Sequence, residues 1–167
     1  MVSSFKFTEP VMPPLSERLK EMQADDIYLD YRPNIKNSII MDAPDNADIK
    51  VEKTGNSYWY QSMVTVNNNT YKVTADEKSL APCHLEFTQC RYESEEEEFA
   101  LKPPSSAGYL IKWRNEEGVF FITLRDIYIN SDFSLEGIAI TKDKPSIIFS
   151  EKEVEMWKKL LTTIRIK

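Results

Sequence analysis

Several residue types on which enzyme active sites depend are scarce in this chain of 167 residues. It contains one histidine, two cysteines and four glycines. A serine or cysteine nucleophile usually requires a histidine base, and two cysteines with one histidine are one ligand short of a structural zinc site. None of the glycines begins a phosphate-binding loop of the P-loop or dinucleotide type. We therefore predict a protein that is not an enzyme, with no catalytic residue, no metal and no cofactor.

The three scarce side chains, Cys83, His84 and Cys90, fall in one predicted strand, and we interpret all of them as structural. Neighbours on a strand point to opposite faces, and so do residues seven apart. One enzymatic alternative stays open. The aspartates of "DDIYLD" (25–30) are compatible with a metal-dependent hydrolase, although such a stretch is more often a solvated segment because metal sites draw carboxylates from several elements.

Long apolar runs and a positive net charge are also absent. No run approaches the roughly 20 residues that span a bilayer, and the start, "MVSSFKFTEPVMPP", lacks the apolar core of a secretory signal. The net charge of −6 argues against a broadly basic surface but leaves room for one basic face. We expect an intracellular protein, in the nucleus or the cytoplasm, that is neither secreted nor bound to a membrane.

The order of patterns predicts one domain, 1–167, of the α+β class. Its expected parts are an N-terminal helical segment (1–25), a first strand block (37–92), an acidic and Pro/Ser-rich loop (93–108), and a second strand block with a closing helix (109–167). The segment "PPLSERLKEM" (13–22) predicts a short helix, either a lid on the domain or a docking segment. The fold is expected to be an antiparallel sheet or half-open barrel of about nine strands with a C-terminal amphipathic helix.

Alternating side chains and turn formers place the individual elements. The predicted strands are "NSIIMD" (37–42), "ADIKVEK" (47–53), "SYWYQSMVTV" (57–66), "TYKVT" (70–74), "CHLEFTQCRY" (83–92), "GYLIKWR" (108–114), "GVFFITLRDIYIN" (118–130), "GIAIT" (137–141) and "PSIIF" (145–149). The asparagines 67–69 predict a three-residue hairpin loop. Ser150 is the expected cap of the last helix, whose apolar stripe is Val154, Trp157, Leu160, Leu161 and Ile164.

Aromatic and basic side chains occur together in the predicted strands 108–114 and 118–130, and the predicted strand 57–66 would extend this aromatic surface if it is their neighbour. Lys112 and Arg114 share a face with Leu110, while Trp113 and Tyr109 take the other face. Rings stack on unpaired bases and cations follow phosphates, so such strands suit a single nucleic-acid strand. The alternative is that the rings are core and the cations solvated edge. The candidate nucleic-acid-binding residues are Tyr58, Trp59, Tyr60, Lys112, Trp113, Arg114, Phe121 and Arg125.

The glutamates of "ESEEEE" (93–98) have two interpretations. Such a run is usually a solubilising loop. It is alternatively a segment that lies over a basic groove and competes with nucleic acid for it.

Residues 109–164, "YLIKWRNEEGVFFITLRDIYINSDFSLEGIAI…IIFSEKEVEMWKKLLTTI", resemble the DNA-binding domain of the transcriptional coactivator positive cofactor four and the related Whirly proteins. The resemblance implies a curved antiparallel sheet with a helix, binding of single-stranded DNA, and a homodimer formed through the helices. It points to Lys112, Trp113, Arg114, Phe121 and Arg125 as contacts. The insert "TKDKP" (141–145) and the acidic first part depart from the family pattern.

The same C-terminal stretch, "SIIFSEKEVEMWKKLL", is also similar to the end of a pleckstrin-homology domain, whose last helix carries a buried tryptophan. That resemblance implies an adaptor module that binds a protein partner, because the loops between the first strands are not basic. The leading functional prediction is non-catalytic binding of single-stranded DNA, or RNA, in replication, repair or transcription. The alternative is the protein-binding adaptor.

Overall fold

The computed structural model describes residues 24–30, 38–53, 60–76, 93–144 and 147–167. Within these residues the chain forms ten β-strands and one α-helix. The strands form two antiparallel sheets, so the predicted α+β class is confirmed, and the described strands do not close into a barrel. The predicted helix at 13–22 and the predicted strand at 83–92 lie outside the described residues.

The strands are β1 (Ile27–Asp30), β2 (Ile39–Met41), β3 (Asp48–Lys53), β4 (Tyr60–Val66), β5 (Asn69–Asp76), β6 (Glu93–Glu98), β7 (Tyr109–Arg114), β8 (Val119–Asn130), β9 (Phe133–Lys142) and β10 (Arg165–Ile166), and the helix is α1 (Glu151–Leu161). The larger sheet has seven strands in the order β3-β4-β5-β9-β8-β7-β6, and the smaller sheet has the order β1-β2-β10. The larger sheet thus joins two meanders, β3–β5 and β6–β9, along the β5–β9 pair.

The two faces of the seven-stranded sheet differ because successive side chains alternate. One face, which we call the helix face, is continuous with α1 and with the smaller sheet in a single apolar core. Its central strands contribute Val64, Tyr71, Val73, Leu110, Ile122, Leu124, Ile138 and Ile140. The opposite face, which we call the outer face, carries a second and smaller cluster built on Ile111, Trp113 and Phe121.

Helix α1 begins where the sequence predicts. The Ser150 hydroxyl accepts a hydrogen bond from the Glu153 N–H, and the Glu153 carboxylate accepts one from the Ser150 N–H, which together form a capping box. Val154, Trp157 and Leu161 are buried. The Trp157 ring meets the Tyr71 ring edge-on, with the centroids 5.1 Å apart. This packing fixes the helix across the middle of the sheet.

The small sheet covers the helix face beside α1, next to β4. The Ser62 hydroxyl lies 3.2 Å from both the N–H and the carbonyl oxygen of Tyr28, and it thereby ties β1 to β4. The Arg165 guanidinium on β10 lies 2.7 Å from the Asp42 carboxylate. Strand β10 has two residues and was not predicted, because a strand this short carries no recognisable alternation.

Two acidic segments form strands, contrary to the prediction of solvated chain. Residues 93–98, predicted as part of a loop, form β6 and pair with β7, with Glu95 opposite Lys112. The glutamates remain mostly exposed and meet basic neighbours, so pairing costs little desolvation. "DDIYLD" contributes β1, in which Ile27, Tyr28 and Leu29 are buried. Local composition is overridden in both cases by pairing with a neighbouring strand.

The predicted three-residue hairpin loop is wrong, the strand predicted at 137–141 begins earlier, at Phe133, and "PSIIF" is not confirmed as a strand. The loop between β4 and β5 has two residues, Asn67 and Asn68, because Asn69 already pairs with Val66. Both loop asparagines have positive φ, 51° and 64°, as a type I′ turn requires. "PSIIF" is not a strand over its described residues 147–149, where Phe149 forms a single bridge to Val119.

Strand β8 contains two irregularities that decide which side chains reach which face. Trp113 pairs with Phe121 and Arg114 with Val119, so Phe120 is an extra residue and packs against the outer-face cluster. Regular alternation along "GVFFITLRDIYIN" would instead have placed Phe120 on the core face with Ile122 and Leu124. Farther along, Asp126 has φ 56°, and the chain beyond it places Ile127 in the core. The backbone of Gly108 lies against this bend, where a Cβ would stand 3.2 Å from the Arg125 carbonyl oxygen.

Candidate functional site

The structure divides the eight candidate residues among different surroundings. Tyr58 and Trp59 lie outside the described residues, and Tyr60 is described only as the first residue of β4. On β7 the predicted alternation is observed: Trp113 lies on the outer face opposite Phe121, and Lys112 lies opposite Ile122 on the helix face. The predicted basic and aromatic partners on β7 therefore point to opposite sides of the sheet.

The outer-face rings Trp113 and Phe121 are only 9% and 5% exposed. The Trp113 Nε1–H donates a hydrogen bond to the Thr123 hydroxyl over 3.1 Å, and Thr123 is itself buried. Stacking on a base requires an accessible ring face. In this conformation Trp113 and Phe121 therefore act as core residues, and Arg125 beside them is half-buried.

Two exposed tyrosines on the same part of the sheet were missing from the candidate set. Tyr109 is 47% exposed and Tyr128 is 44% exposed. The register that pairs Leu110 with Leu124 places Tyr109 next to Arg125. Alternation along β7 was a signal for Tyr109, but the exposure of Tyr128 follows from the bend at Asp126, which has no clear sequence signal.

Two basic side chains on the helix face, those of Lys112 and Lys158, are paired with the acidic strand, while Arg114 on the same face is exposed. The Lys112 ammonium lies 2.6 Å from the Glu95 carboxylate and 3.9 Å from that of Glu97. The Lys158 ammonium on α1 lies 2.7 Å from Glu97. The hydrogen bond from Lys112 holds the pKa of Glu95 below its ordinary value, and the hydrogen bond to Glu97 raises the pKa of Lys158. Strand β6 thus neutralises Lys112 and Lys158 and links β7 to α1.

Strand β6 is also an edge of the seven-stranded sheet. Among the described residues it pairs with β7 alone, so its other side presents backbone groups with no partner strand there. Its odd-numbered glutamates face the helix side, as the ion pairs of Glu95 and Glu97 show. Its even-numbered residues share the outer face with Tyr109. Glu96 and Glu98 are exposed there and form no ion pair with any described residue.

Another polar cluster, formed by Lys142, Glu153 and Tyr71, lies buried under the start of α1. The Lys142 ammonium lies 2.8 Å from the Glu153 carboxylate, and the Tyr71 hydroxyl donates a short hydrogen bond to the same carboxylate. Burial opposes ionisation of Glu153, but its hydrogen bonds outweigh that effect and lower its pKa. Burial, together with the Glu153 carboxylate, raises the pKa of Tyr71. Every member has a partner, so the cluster holds the helix on the sheet.

The remaining chemical candidates gain no site from the structure. Within the described ranges no group of three or more His, Cys, Asp or Glu side chains is placed to hold a metal ion. Asp26 of the "DDIYLD" stretch lies 3.3 Å from the Lys167 ammonium. No helix in the described part of the chain has the length and apolar character that crossing a membrane requires.

Comparison of the chain with protein-family models, with curated proteins and with solved structures finds no match. The resemblances to the positive cofactor four and Whirly proteins and to pleckstrin-homology domains therefore stay predictions. The function has to be argued from the surfaces described above.

Proposed function

We propose that this protein is a non-catalytic binding module whose partner is a protein, held at the edge of β6 that has no partner strand among the described residues. The observation that carries the proposal is the position of β6, an exposed edge strand of the main sheet that pairs on one side among the described residues. An extended segment can add to such an edge, where main-chain hydrogen bonds provide affinity and side chains provide specificity.

The charge of β6 selects against two other occupants. A second copy of β6 is disfavoured, because glutamates would stand opposite glutamates. A nucleic-acid strand is disfavoured as well, because its phosphates would approach the exposed Glu96 and Glu98 while Lys112 is already paired with Glu95. The net charge of −6 acts in the same direction. Of the two functions predicted from the sequence, the protein-binding adaptor is therefore better supported than binding of single-stranded nucleic acid.

Single-stranded nucleic acid remains a second candidate, at a different place from the predicted one. The exposed rings of Tyr109 and Tyr128, with Arg125 between them along the sheet, support it. Within the residues of the positive cofactor four resemblance, the succession of three strands, β7 to β9, followed by α1 is also compatible with the sheet and helix that the resemblance implies. The predicted homodimer through the C-terminal helix stays a prediction.

Parallel titrations separate the two candidates. A fluorescent ten-residue peptide that alternates lysine and valine represents an extended protein segment, and a fluorescent single-stranded oligonucleotide represents the nucleic acid. We expect saturable binding of the peptide and none of the oligonucleotide at low salt. Oligonucleotide binding that weakens steeply with salt and is lost in Tyr109→Ala would establish the second candidate instead. A peptide that does not bind even at low salt would overturn the first.

A further inference from the structure

We infer that the β6 edge selects an extended segment with lysine or arginine at every second position on the outer-face side. This inference rests on the proposed function and names the partner chemistry. The six residues of β6 present two different acidic rows, because alternate side chains point to opposite faces of the sheet. The two rows differ in how many of their glutamates already form ion pairs with lysines of the chain.

Two of the three glutamates in the helix-face row are already ion-paired. Glu95 and Glu97 are bound to Lys112 and Lys158, at 2.6 Å and 2.7 Å, and only Glu93, at the start of the strand, has no ion pair with the described residues. A cation arriving on this side would have to displace a lysine that a neighbouring strand or α1 holds in place. Selection by charge on this face is therefore weak.

The outer-face row carries the carboxylates that can select a partner by charge. Ser94, Glu96 and Glu98 occupy it, and the two glutamates are exposed and form no ion pair with the described part of the chain. They are two residues apart, so their side chains repeat along the strand with the period of a β-strand. An added strand places its own residues directly opposite them, at cross-strand distances of about 4.5–5.5 Å between Cβ atoms. Cations at alternate positions of that strand would meet both glutamates at once.

The exposed ring of Tyr109, on the neighbouring strand β7, lies on the same face as the outer-face row. Tyr109 pairs with Glu98 across β6 and β7 and is 47% exposed. A long cationic side chain placed opposite Glu98 can extend toward this ring, whose face attracts cations. The outer-face side of the edge thus combines backbone groups, two exposed carboxylates that form no ion pair with the described residues, and one aromatic ring, which is a set suited to a basic extended segment.

The test compares three peptides and four variants by fluorescence anisotropy at low salt. The peptides alternate lysine with valine, alternate threonine with valine, or carry the same lysines in one block. We expect the alternating lysine peptide to bind about tenfold more tightly than the other two, since two exposed ion pairs each contribute up to about fivefold. Glu96→Gln combined with Glu98→Gln should remove that preference, and each single substitution should remove part of it.

Glu93→Gln is the matched control. Glu93 is exposed on the same strand, but it belongs to the helix-face row, so its substitution should leave the preference unchanged. If the threonine peptide binds as tightly as the lysine peptide, the charge selection is refuted while the binding module stands. An equal loss in Glu93→Gln and in the double variant would also refute it, because the outer-face row would then have no special part. Failure of all three peptides to bind overturns the proposed function itself.

Discussion

The buried cluster of Lys142, Glu153 and Tyr71 gives the sharpest prediction about stability. Lys142 is 6% exposed, and its ammonium is 2.8 Å from the Glu153 carboxylate. Removing one member of a buried ion pair leaves the other charge without compensation, which costs roughly 3–5 kcal/mol. Glu153 keeps some contact with solvent and keeps its bond to the Ser150 N–H, so we expect Lys142→Met to cost about 2–3 kcal/mol, at or below the lower limit of that range.

Glu153→Gln should cost about 3 kcal/mol, because it leaves a lysine cation buried without a carboxylate. The double variant Lys142→Met with Glu153→Gln removes both charges, while the amide oxygen can still accept from the Ser150 N–H and the amide NH2, at the position of the other carboxylate oxygen, can donate to the Tyr71 hydroxyl. It should therefore cost about 2 kcal/mol less than the sum of the single variants. Urea unfolding followed by tryptophan fluorescence measures all three, since Trp157 packs against Tyr71.

Lys158→Met is the matched control for this series. Lys158 also pairs with a glutamate, but its side chain is 26% exposed, and such pairs contribute about 1 kcal/mol or less. A free energy of unfolding for Lys142→Met within about 0.5 kcal/mol of that of the unsubstituted protein would contradict the assignment of a buried ion pair. The assignment is also refuted if the single effects of Lys142 and Glu153 simply add.

Three further measurements follow from the same structure. Because the pKa of Glu153 lies below its ordinary value of 4.5, its contribution to stability is complete above that pH and is lost as the pH falls; Glu153→Gln should flatten the acid limb of a plot of unfolding free energy against pH. The raised pKa of Tyr71 means that its contribution is complete below pH 10.0 and is lost above it. An ultraviolet titration of tyrosine ionisation should therefore be the same for Tyr71→Phe and for the unsubstituted protein within the ordinary tyrosine range. The variant should lack one ionisation only at higher pH. Trp113→Ala should cost about 3–5 kcal/mol, whereas Tyr109→Ala should stay within about 0.5 kcal/mol, in the same urea assay; equal costs would contradict the assignment of Trp113 to the core.

Helix α1 and the long strands could be predicted because their signals are local. Ser150 and Glu153 mark the helix start, and Val154, Trp157 and Leu161 mark its buried side. Alternation along β7 assigned the correct faces. Each of these features depends on residues that are close in sequence.

The failures have physical causes that depend on distant residues. Strand β6 was missed because a run of glutamates has low strand propensity, and its pairing depends on Lys112 and Lys158 elsewhere in the chain. Alternation placed Trp113 on the outer face but did not reveal that the ring would be buried there. The bend at Asp126, which exposes Tyr128, follows from a single positive φ that aspartate tolerates.

The candidate site therefore changed more than the fold. The candidate residues included Lys112 and Trp113, which alternation placed on opposite faces, and the structure shows Lys112 ion-paired and Trp113 buried. Accessible features include the acidic edge of β6, the Arg114 side chain and the rings of Tyr109 and Tyr128. The negative charge of the exposed glutamates on β6 attracts a basic protein segment and repels phosphate, which is why we propose a protein partner.

Amide hydrogen exchange along the two edges of the seven-stranded sheet tests the central claim most directly. Exchange is measured on the whole chain with and without the alternating lysine–valine peptide, and β3, the opposite edge, is the internal control. We expect slower exchange within Glu93–Glu98, where an added strand would bond to amides that have no partner strand among the described residues, and unchanged exchange in β3. Peptide binding that leaves β6 exchange unchanged, or protects β3 instead, would contradict it.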